Sequence, residues 1–386
     1  MMISMLSPGK NNIHKNIALL GAFCLFLSVV EYLIPKPLPF MRIGLANLPL
    51  MFALDILPFP SFLILVCIKV IGQGLITGTL FSYVFLFSLT GTFLSALVMF
   101  ALRKVFGCNR ITFIGIGTAG AFISNVSQLA LAYMFIFKEN ARYIAPPFLA
   151  VGIVTGIVLG IFCETFIRHS RWYGKKEEIG ERKEGSVQKI DVKNNFYDNN
   201  FSANTLFIAG ILIIPALLFN PSTEFRIVQF LFFWILALVC RKKTNPLITI
   251  LIIAIIIAFN LIIPYGRVLF SIGAFKITSG ALTAGIHRAF TLAALVMLSK
   301  VTIRQDLKIP GTFGKILGES LRLFSLIMSR KYRLKGKNIL TELDNLMLEL
   351  SEEEISQSVD RAIKTRPAGY VVLIVVIVLS WLPWVI

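Results

Sequence analysis

The chain has 386 residues, 56% of them hydrophobic and only 15% charged, with a mean hydropathy of +0.79. That composition excludes a water-soluble enzyme of two or three domains and describes a membrane protein; at ~20 apolar residues per helical crossing it builds at most about 11 crossings. The net charge of +18 reads as an excess of Lys and Arg in loops on the cytoplasmic side, and no basic module with interleaved aromatics accompanies it, so nucleic acid is not an expected partner.

In chain order, Lys10 and Lys15 precede an apolar run at about 16–34 that is built like a signal peptide. No small-residue cleavage site precedes Glu31, so an uncleaved first helix is expected. Further runs follow at about 60–80, 82–105, 112–137 and 146–168, with a shorter one at 44–57, giving six segments. A polar stretch from residue 171 to 202, dense in Lys and Glu and Asn-rich at its end, is too charged to bury anything and reads as a cytoplasmic linker. The second half carries runs at about 203–219, 225–240, 246–264 and 278–299, then a charged stretch at about 304–366, then a last run over 368–386. The expected fold is therefore all-α and polytopic: a six-helix unit over 1–170 and a second membrane unit over 203–386, about 11 transmembrane helices in all.

Lys and Arg fall mainly on one side if the N-terminus starts in the cytoplasm: Arg103, Lys104, Arg110, Arg168 and Arg171 lie inside, and Arg241, Lys242, Lys300 and Arg304 join them. Eleven crossings then place the C-terminus outside. Within the charged stretch, Phe313, Ile316, Leu317, Leu321, Phe324, Ile327 and Met328 recur at helical spacing, as do Ile339, Leu343, Leu346, Met347 and Leu350. Two amphipathic helices are predicted, flanking a basic cluster at Arg330, Lys331, Arg333, Lys335 and Lys337 suited to anionic lipid headgroups.

Motifs that suggest soluble chemistry fail on context. Gly115, Gly117 and Gly120 spell Gly-x-Gly-x-x-Gly, but they open a membrane span, where small residues bring helices together. The stretch Gly311 to Lys315 lacks the first glycine and the hydroxyl of a phosphate loop, because Ile309 and Ile316 occupy those places. No two aspartates are adjacent or four apart, the three histidines are scattered, and the five cysteines form no Cys-x-x-Cys pair. No metal, cofactor, disulfide framework or catalytic constellation is expected.

Polarity inside apolar segments is what remains informative, since each such group must face protein, water or ligand. Glu31, Asn47, Lys69, Gln73, Asn125, Gln128 and Glu164 stand out in the first half, and Arg267, Lys276, His287 and Arg288 in the second. Lys69, Glu31 and Glu164 read as snorkelling groups near span ends. Asn125 and Gln128, three apart in mid-span, share a face and point to a cavity. Small-x-x-x-small pairs at Ala18 and Ala22, at Gly74 and Gly78, and along Gly152, Gly156 and Gly160 mark helix contacts; the ridge at Ala18 and Ala22 is also suited to docking the second unit.

The strings Pro39-Phe40-Met41-Arg42-Ile43-Gly44-Leu45-Ala46-Asn47 and Ile123-Ser124-Asn125-Val126-Ser127-Gln128-Leu129 make the first 170 residues resemble a bacterial membrane family known as heptaprenyl diphosphate synthase component I or the Gx transporter family. That family is similar to the six-helix substrate-binding S components of energy-coupling factor transporters. The second half, best matched at Ile277 to Arg288, is similar to their T components. There, Ala-Arg-Gly triplets engage the ATPases; here Ser329-Arg330-Lys331 and Thr365-Arg366-Pro367 keep the arginines while their neighbours differ.

The resemblance implies membrane transport of a small molecule of vitamin, flavin or precursor type, with no enzymatic activity. Arg42, Asn47, Gln73, Asn125 and Gln128 would bind substrate, Arg330 and Arg366 would couple to ABC-type ATPase subunits in trans, and Ala18 and Ala22 would pack the units together. The alternative is a non-catalytic membrane accessory of isoprenoid or quinone metabolism, in which the cavity holds a lipid tail. A third reading is a structural partner in a redox assembly.

Overall fold

The computed structural model describes residues 10–34, 43–174, 200–242, 244–272, 275–304, 307, 309–329, 339–352 and 365–382. Most of the expected linker, along with Arg42, Arg330 and the basic cluster after it, lies outside the described residues. The protein is an all-α polytopic membrane protein. The first unit consists of α1 (Lys10–Leu33), α2 (Leu48–Ala53), α3 (Phe59–Thr77), α4 (Tyr83–Arg110), α5 (Phe113–Ala132), α6 (Ala141–His169) and the short α7 (Arg171–Gly174). The second consists of α8 (Ala203–Leu218), α9 (Thr223–Val239), α10 (Pro246–Asn260), α11 (Ser279–Thr302), the amphipathic α12 (Gly311–Ser329) and α13 (Ile339–Glu352), and α14 (Pro367–Trp381).

All eleven apolar runs read from the sequence are helical in whole or in part, but they differ in length. Five stretches are long and apolar enough to cross a membrane, namely Asn12–Tyr32, Phe59–Thr77, Tyr83–Gly107, Phe113–His169 and Ser279–Thr302, the fourth containing both α5 and α6. Helices α8, α10 and α14 have 16, 15 and 15 residues. At 1.5 Å per residue they are roughly 22–24 Å long, short of a hydrocarbon core of about 30 Å.

The run at 44–57 is a broken return path. Gly21 of α1 meets Ile68 of α3, and Gly72 of α3 meets Leu25 of α1, so these two helices run in the same direction. The chain must therefore come back between them. Residues 43–57 do so as a one-turn 3-10 helix (Leu45–Asn47) followed by the six-residue, fully buried α2. Asp55 holds the lower end of this return. Its carboxylate accepts from Arg103 Nε at 2.8 Å and Nη2 at 2.6 Å, and from Tyr173 Oη at 3.4 Å. Arg103 also donates to the Ile111 carbonyl and lies 4.6 Å from the Phe113 ring, so one guanidinium ties the return segment, the end of α4 and the start of α5. Burial, together with the Asp55 charge, holds the Tyr173 phenol well above its usual range and keeps it a hydrogen-bond donor.

The glycines of α5 and α6 set the approach of those helices. A Cβ on Gly156 would lie 2.8 Å from Thr118 Cα, one on Gly117 2.8 Å from the Gly156 carbonyl, and one on Gly160 would meet the backbone of Ile114. Gly115, Gly117 and Gly120 thus all lie within α5, with Gly117 in this seam and Gly120 against Met99 of α4.

One departure from an all-helical chain is a hairpin, β1 (Val268–Ile272) paired antiparallel with β2 (Phe275–Thr278), between α10 and α11. A β-branched and aromatic run on either side of Gly273 was its sequence signal.

The two units meet along a long seam. Helix α12 lays its apolar face on α1, with Ile316, Leu317, Phe324 and Ile327 in one core cluster with Ala18, Ala22 and Leu25. At the α3–α4 turn, Phe81 N–H donates to Ser299 Oγ of α11 at 3.1 Å, and its ring seats on Gly210 of α8 beside Phe207. Between α5 and α6 a π turn (Tyr133–Phe137) exposes the Ile136 carbonyl to Arg288 Nη1 at 3.1 Å. Asp344 of α13 caps α7, accepting from Ser170 Oγ at 2.5 Å and from the backbone N–H groups of Arg171 and Trp172 at 3.0 Å each.

Candidate functional site

A chamber lies inside the first unit, and every helix from α1 to α6 contributes to its wall. Its polar lining comprises Glu31 from α1, Asn47 from the return segment, Lys69 from α3, Thr92 and Ser95 from α4, Ser124 and Asn125 from α5, and Thr155 from α6. Its apolar lining includes Met51, Met99, Ala121 and Leu159. The cavity measures about 30 Å³, room for one or two water molecules. A substrate of organic size enters only if the walls part.

Lys69 sits in the middle of α3 and is 3% exposed. Its ammonium donates to Asn47 Oδ1 and to Thr92 Oγ1, the latter at 3.4 Å. A buried ammonium needs such partners, since an unsolvated charge in a lipid-embedded bundle costs several kcal/mol. Glu31, 4% exposed, accepts from Ile43 N–H at 2.8 Å and Ala46 N–H at 3.5 Å and so fixes the entry of the return segment. Gly44 between them has φ 91°, a left-handed conformation that suits glycine. Both charged residues face the chamber, which corrects the reading of them as snorkelling. Lys69 lies too deep along α3 to reach a span end, and the return segment covers Glu31.

Asn125 Nδ2 donates to the Phe148 carbonyl at 2.8 Å, and the missing side chain of Gly152 makes the room for that amide. Gln128 is fully buried one turn on and donates through Nε2 to Ser124 Oγ at 2.9 Å, against the bare backbone of Gly91. It stands behind the chamber wall rather than in it, and its Oε1 has no hydrogen-bond partner. Ser95 Oγ is likewise buried without a partner, and it does line the chamber.

Of the residues expected to bind substrate, the structure brings Asn47 and Asn125 to the chamber and Gln128 to its edge. Gln73, one turn beyond Lys69 on α3, is half-buried and does not line it. Its place in the helix, four residues on, carries it past the chamber's level. Arg42 lies outside the described residues, next to lining residue Ile43. Thr92, Ser95, Ser124 and Thr155 were not singled out, because Ser and Thr in membrane helices commonly bond their own backbone. Ala18 and Ala22 are buried, at 2% and 0% exposed, on the helix that meets α12. Arg366 is exposed at the start of α14, its N–H donating to the Asn200 carbonyl at 3.1 Å. Arg330 lies outside the described residues.

Residues 20–166 match the family model described as heptaprenyl diphosphate synthase component I, in agreement with the resemblance read from the Arg42 to Asn47 and Ser124 to Gln128 strings. Residues 204–305 match a model described as a domain of unknown function (DUF8519). No curated protein and no solved structure matches the chain.

Proposed function

We propose that this chain carries a small molecule across the bacterial inner membrane, the first unit holding the substrate and the second serving as a scaffold and coupling unit, with no chemical transformation. The chamber is the observation that carries this reading. Buried and half-buried polar groups from six helical segments converge on one space inside an apolar bundle, an arrangement that is costly in lipid unless something polar is received there. The seam supports the division of labour, because α12 packs on the middle of α1 at Gly21 and α13 holds the segment after α6 through Asp344. In this reading the end marked by Asp55 and Arg103, together with Lys104, Arg110, Arg168 and Arg171, faces the cytoplasm, as do the N-terminus and α13, while α12 lies along the middle of α1. ABC-type ATPase subunits in trans would drive the cycle through Arg330 and Arg366, and the basic cluster between α12 and α13 would meet lipid headgroups.

The matched family's description favours a second reading, a non-catalytic accessory to heptaprenyl diphosphate synthesis. The chamber wall argues against it, because half of its lining residues are polar and a prenyl tail would leave Ser95 Oγ without a partner.

Native mass spectrometry of the gently solubilised full chain tests the proposal. The wild type is expected to carry a small molecule, and Ser95→Leu, which fills the chamber, is expected to lose it. A wild-type protein free of any bound small molecule, or a molecule retained equally by Ser95→Leu, would overturn the assignment.

A further inference from the structure

Resting on the transport reading, we propose that the chamber opens along the seam between α4 and α5, and that Ser88, Ser95 and Gln128 on the walls of that seam bind the polar groups of the cargo. The first observation is a concentration of unmet polarity. Among the described residues, five buried side chains have a nitrogen or oxygen atom without a hydrogen-bond partner, and three of the five are Ser88 and Ser95 of α4 and Gln128 of α5. None of these three is more than 3% exposed. Ser88, Gly91 and Ser95 are three and four apart and so form one stripe on α4. That stripe faces α5: a Cβ on Gly91 would lie 2.9 Å from both Ser124 Oγ and Gln128 Nε2, and one on Gly120 of α5 would lie 2.9 Å from Ser95 Oγ. Gln128 uses one end of its amide on Ser124, and whichever way the amide is turned the other end stays unmet.

A buried polar atom without a partner costs at least as much as a lost hydrogen bond, and more where lipid replaces water around the bundle. The closed seam therefore holds a cost that water or a polar ligand relieves once the helices separate. A hydrocarbon chain would leave that cost in place, so the cargo is expected to carry hydrogen-bonding groups.

The second observation is how the two seams of α5 are closed. Against α6 the contact is backbone to backbone at Gly117, Gly156 and Gly160, and Asn125 bonds across it to the Phe148 carbonyl. Against α4 the contact is made by movable side-chain ends, Met99 and Ser95 on Gly120, and Gln128 and Ser124 on Gly91. Arg103 of α4 pins the Ile111 carbonyl at one end of this seam, and the Tyr83 and Phe135 rings stack 5.1 Å apart at the other. Between those ends no side-chain hydrogen bond joins α4 to α5 among the described residues. Parting thus hinges at Arg103, passes the chamber at Ser95 and Ser124, and widens toward Gln128 and Ser88.

The test uses the detergent-purified full chain with Ser88→Cys or Ser95→Cys, each reacted with a small cationic methanethiosulfonate and read by peptide mass spectrometry. Cys163 of α6, fully buried, is the dry internal reference. Both introduced thiols are expected to react at least about 10-fold faster than Cys163, because the seam opens locally while the α6 contact stays shut. Reaction at Ser95→Cys alone would confine access to the chamber and overturn the seam, as would reaction at neither.

The binding role has its own readout in the molecule that co-purifies, measured by native mass spectrometry. Ser88→Ala deletes a hydroxyl with no protein partner, so the thermal midpoint is expected to hold or rise while occupancy falls about 2- to 10-fold. Gln128→Leu is expected to lower occupancy as well. A lowered midpoint with occupancy unchanged in both variants would make these side chains structural and overturn the assignment. A bound molecule together with an unreactive Ser88→Cys removes the seam and leaves the carrier, whereas an empty wild-type protein removes the carrier and the binding role together.

Discussion

In the first unit the buried side chains of Glu31, Lys69, Ser95 and Asn125 turn toward one shared space. In the second, the buried side chains of Arg226, Gln229 and Asn260 are met by backbone carbonyls and by the side chains of Thr291, Asn220 and Arg288. Arg226 Nε donates to the Asn220 carbonyl at 2.8 Å and its Nη2 to that of Leu218 at 3.0 Å, closing the end of α8. Gln229 Nε2 donates to the Ser380 carbonyl at 3.0 Å, and Asn260 Nδ2 to that of Ile256 at 2.8 Å. Both units therefore carry intramembrane polarity of similar chemistry. What separates a candidate site from a structural brace is whether the groups border one shared space or are enclosed by their protein partners.

Substitutions can break or sharpen this contrast. The largest effect is expected where the chamber's frame is tightest. Gly160→Leu drives a side chain into the Ile114 backbone and should abolish a monodisperse folded species on size-exclusion chromatography, while Gly174→Ala, with nothing within 4 Å, should elute as wild type. Asp55→Ala strips Arg103 of its bidentate partner and should cost about 1–3 kcal/mol in thermal or denaturant unfolding.

Arg226→Leu leaves the Asn220 and Leu218 carbonyls unmet and should also cost about 1–3 kcal/mol, yet the small molecule seen by native mass spectrometry should remain. If that molecule disappeared, the second unit's polar groups would belong to the site and the contrast would fail. Asp344→Ala removes the cap on α7 and should cost about 1 kcal/mol, with ligand occupancy unchanged. Arg366→Ala, at an exposed position, should move stability by less than about 0.5 kcal/mol while reducing energised uptake in cells; unchanged uptake would remove it from the coupling role.

The sequence was most legible where the signal is long. Runs of apolar residues located α1, α3 to α6 and α11 to within a few residues, and the heptad-like spacing from Phe313 to Met328 located α12. The return segment was visible only as a short run, because its six-residue helix and 3-10 turn carry no periodicity of spanning length. The hairpin was missed because its strands, Val268–Ile272 and Phe275–Thr278, fall between the apolar runs at about 246–264 and 278–299, in a stretch too short to span and so given no element.

The chamber was half legible. Asn125 and Gln128 share a helix face that their spacing alone reveals, and Asn47 came from the resemblance. Lys69 and Glu31 were noticed as polar but misplaced in depth, since a sequence orders residues along a helix without saying which segment folds over its end. Ser95 and Thr92 had no signal, being hydroxyls among many.

The placement of α12 has a consequence for how such a protein must be made. Its greasy stripe finds much of its cover on α1 of the first unit. Either half synthesised alone would be born with a raw seam, prone to clumping. A continuous polypeptide removes that hazard by supplying the halves in equal number and holding the second near the first at a local concentration on the order of millimolar. Splitting the gene between residues 174 and 200 and producing the halves from separate messages would then yield folded, pairable protein in the membrane only when both are expressed together.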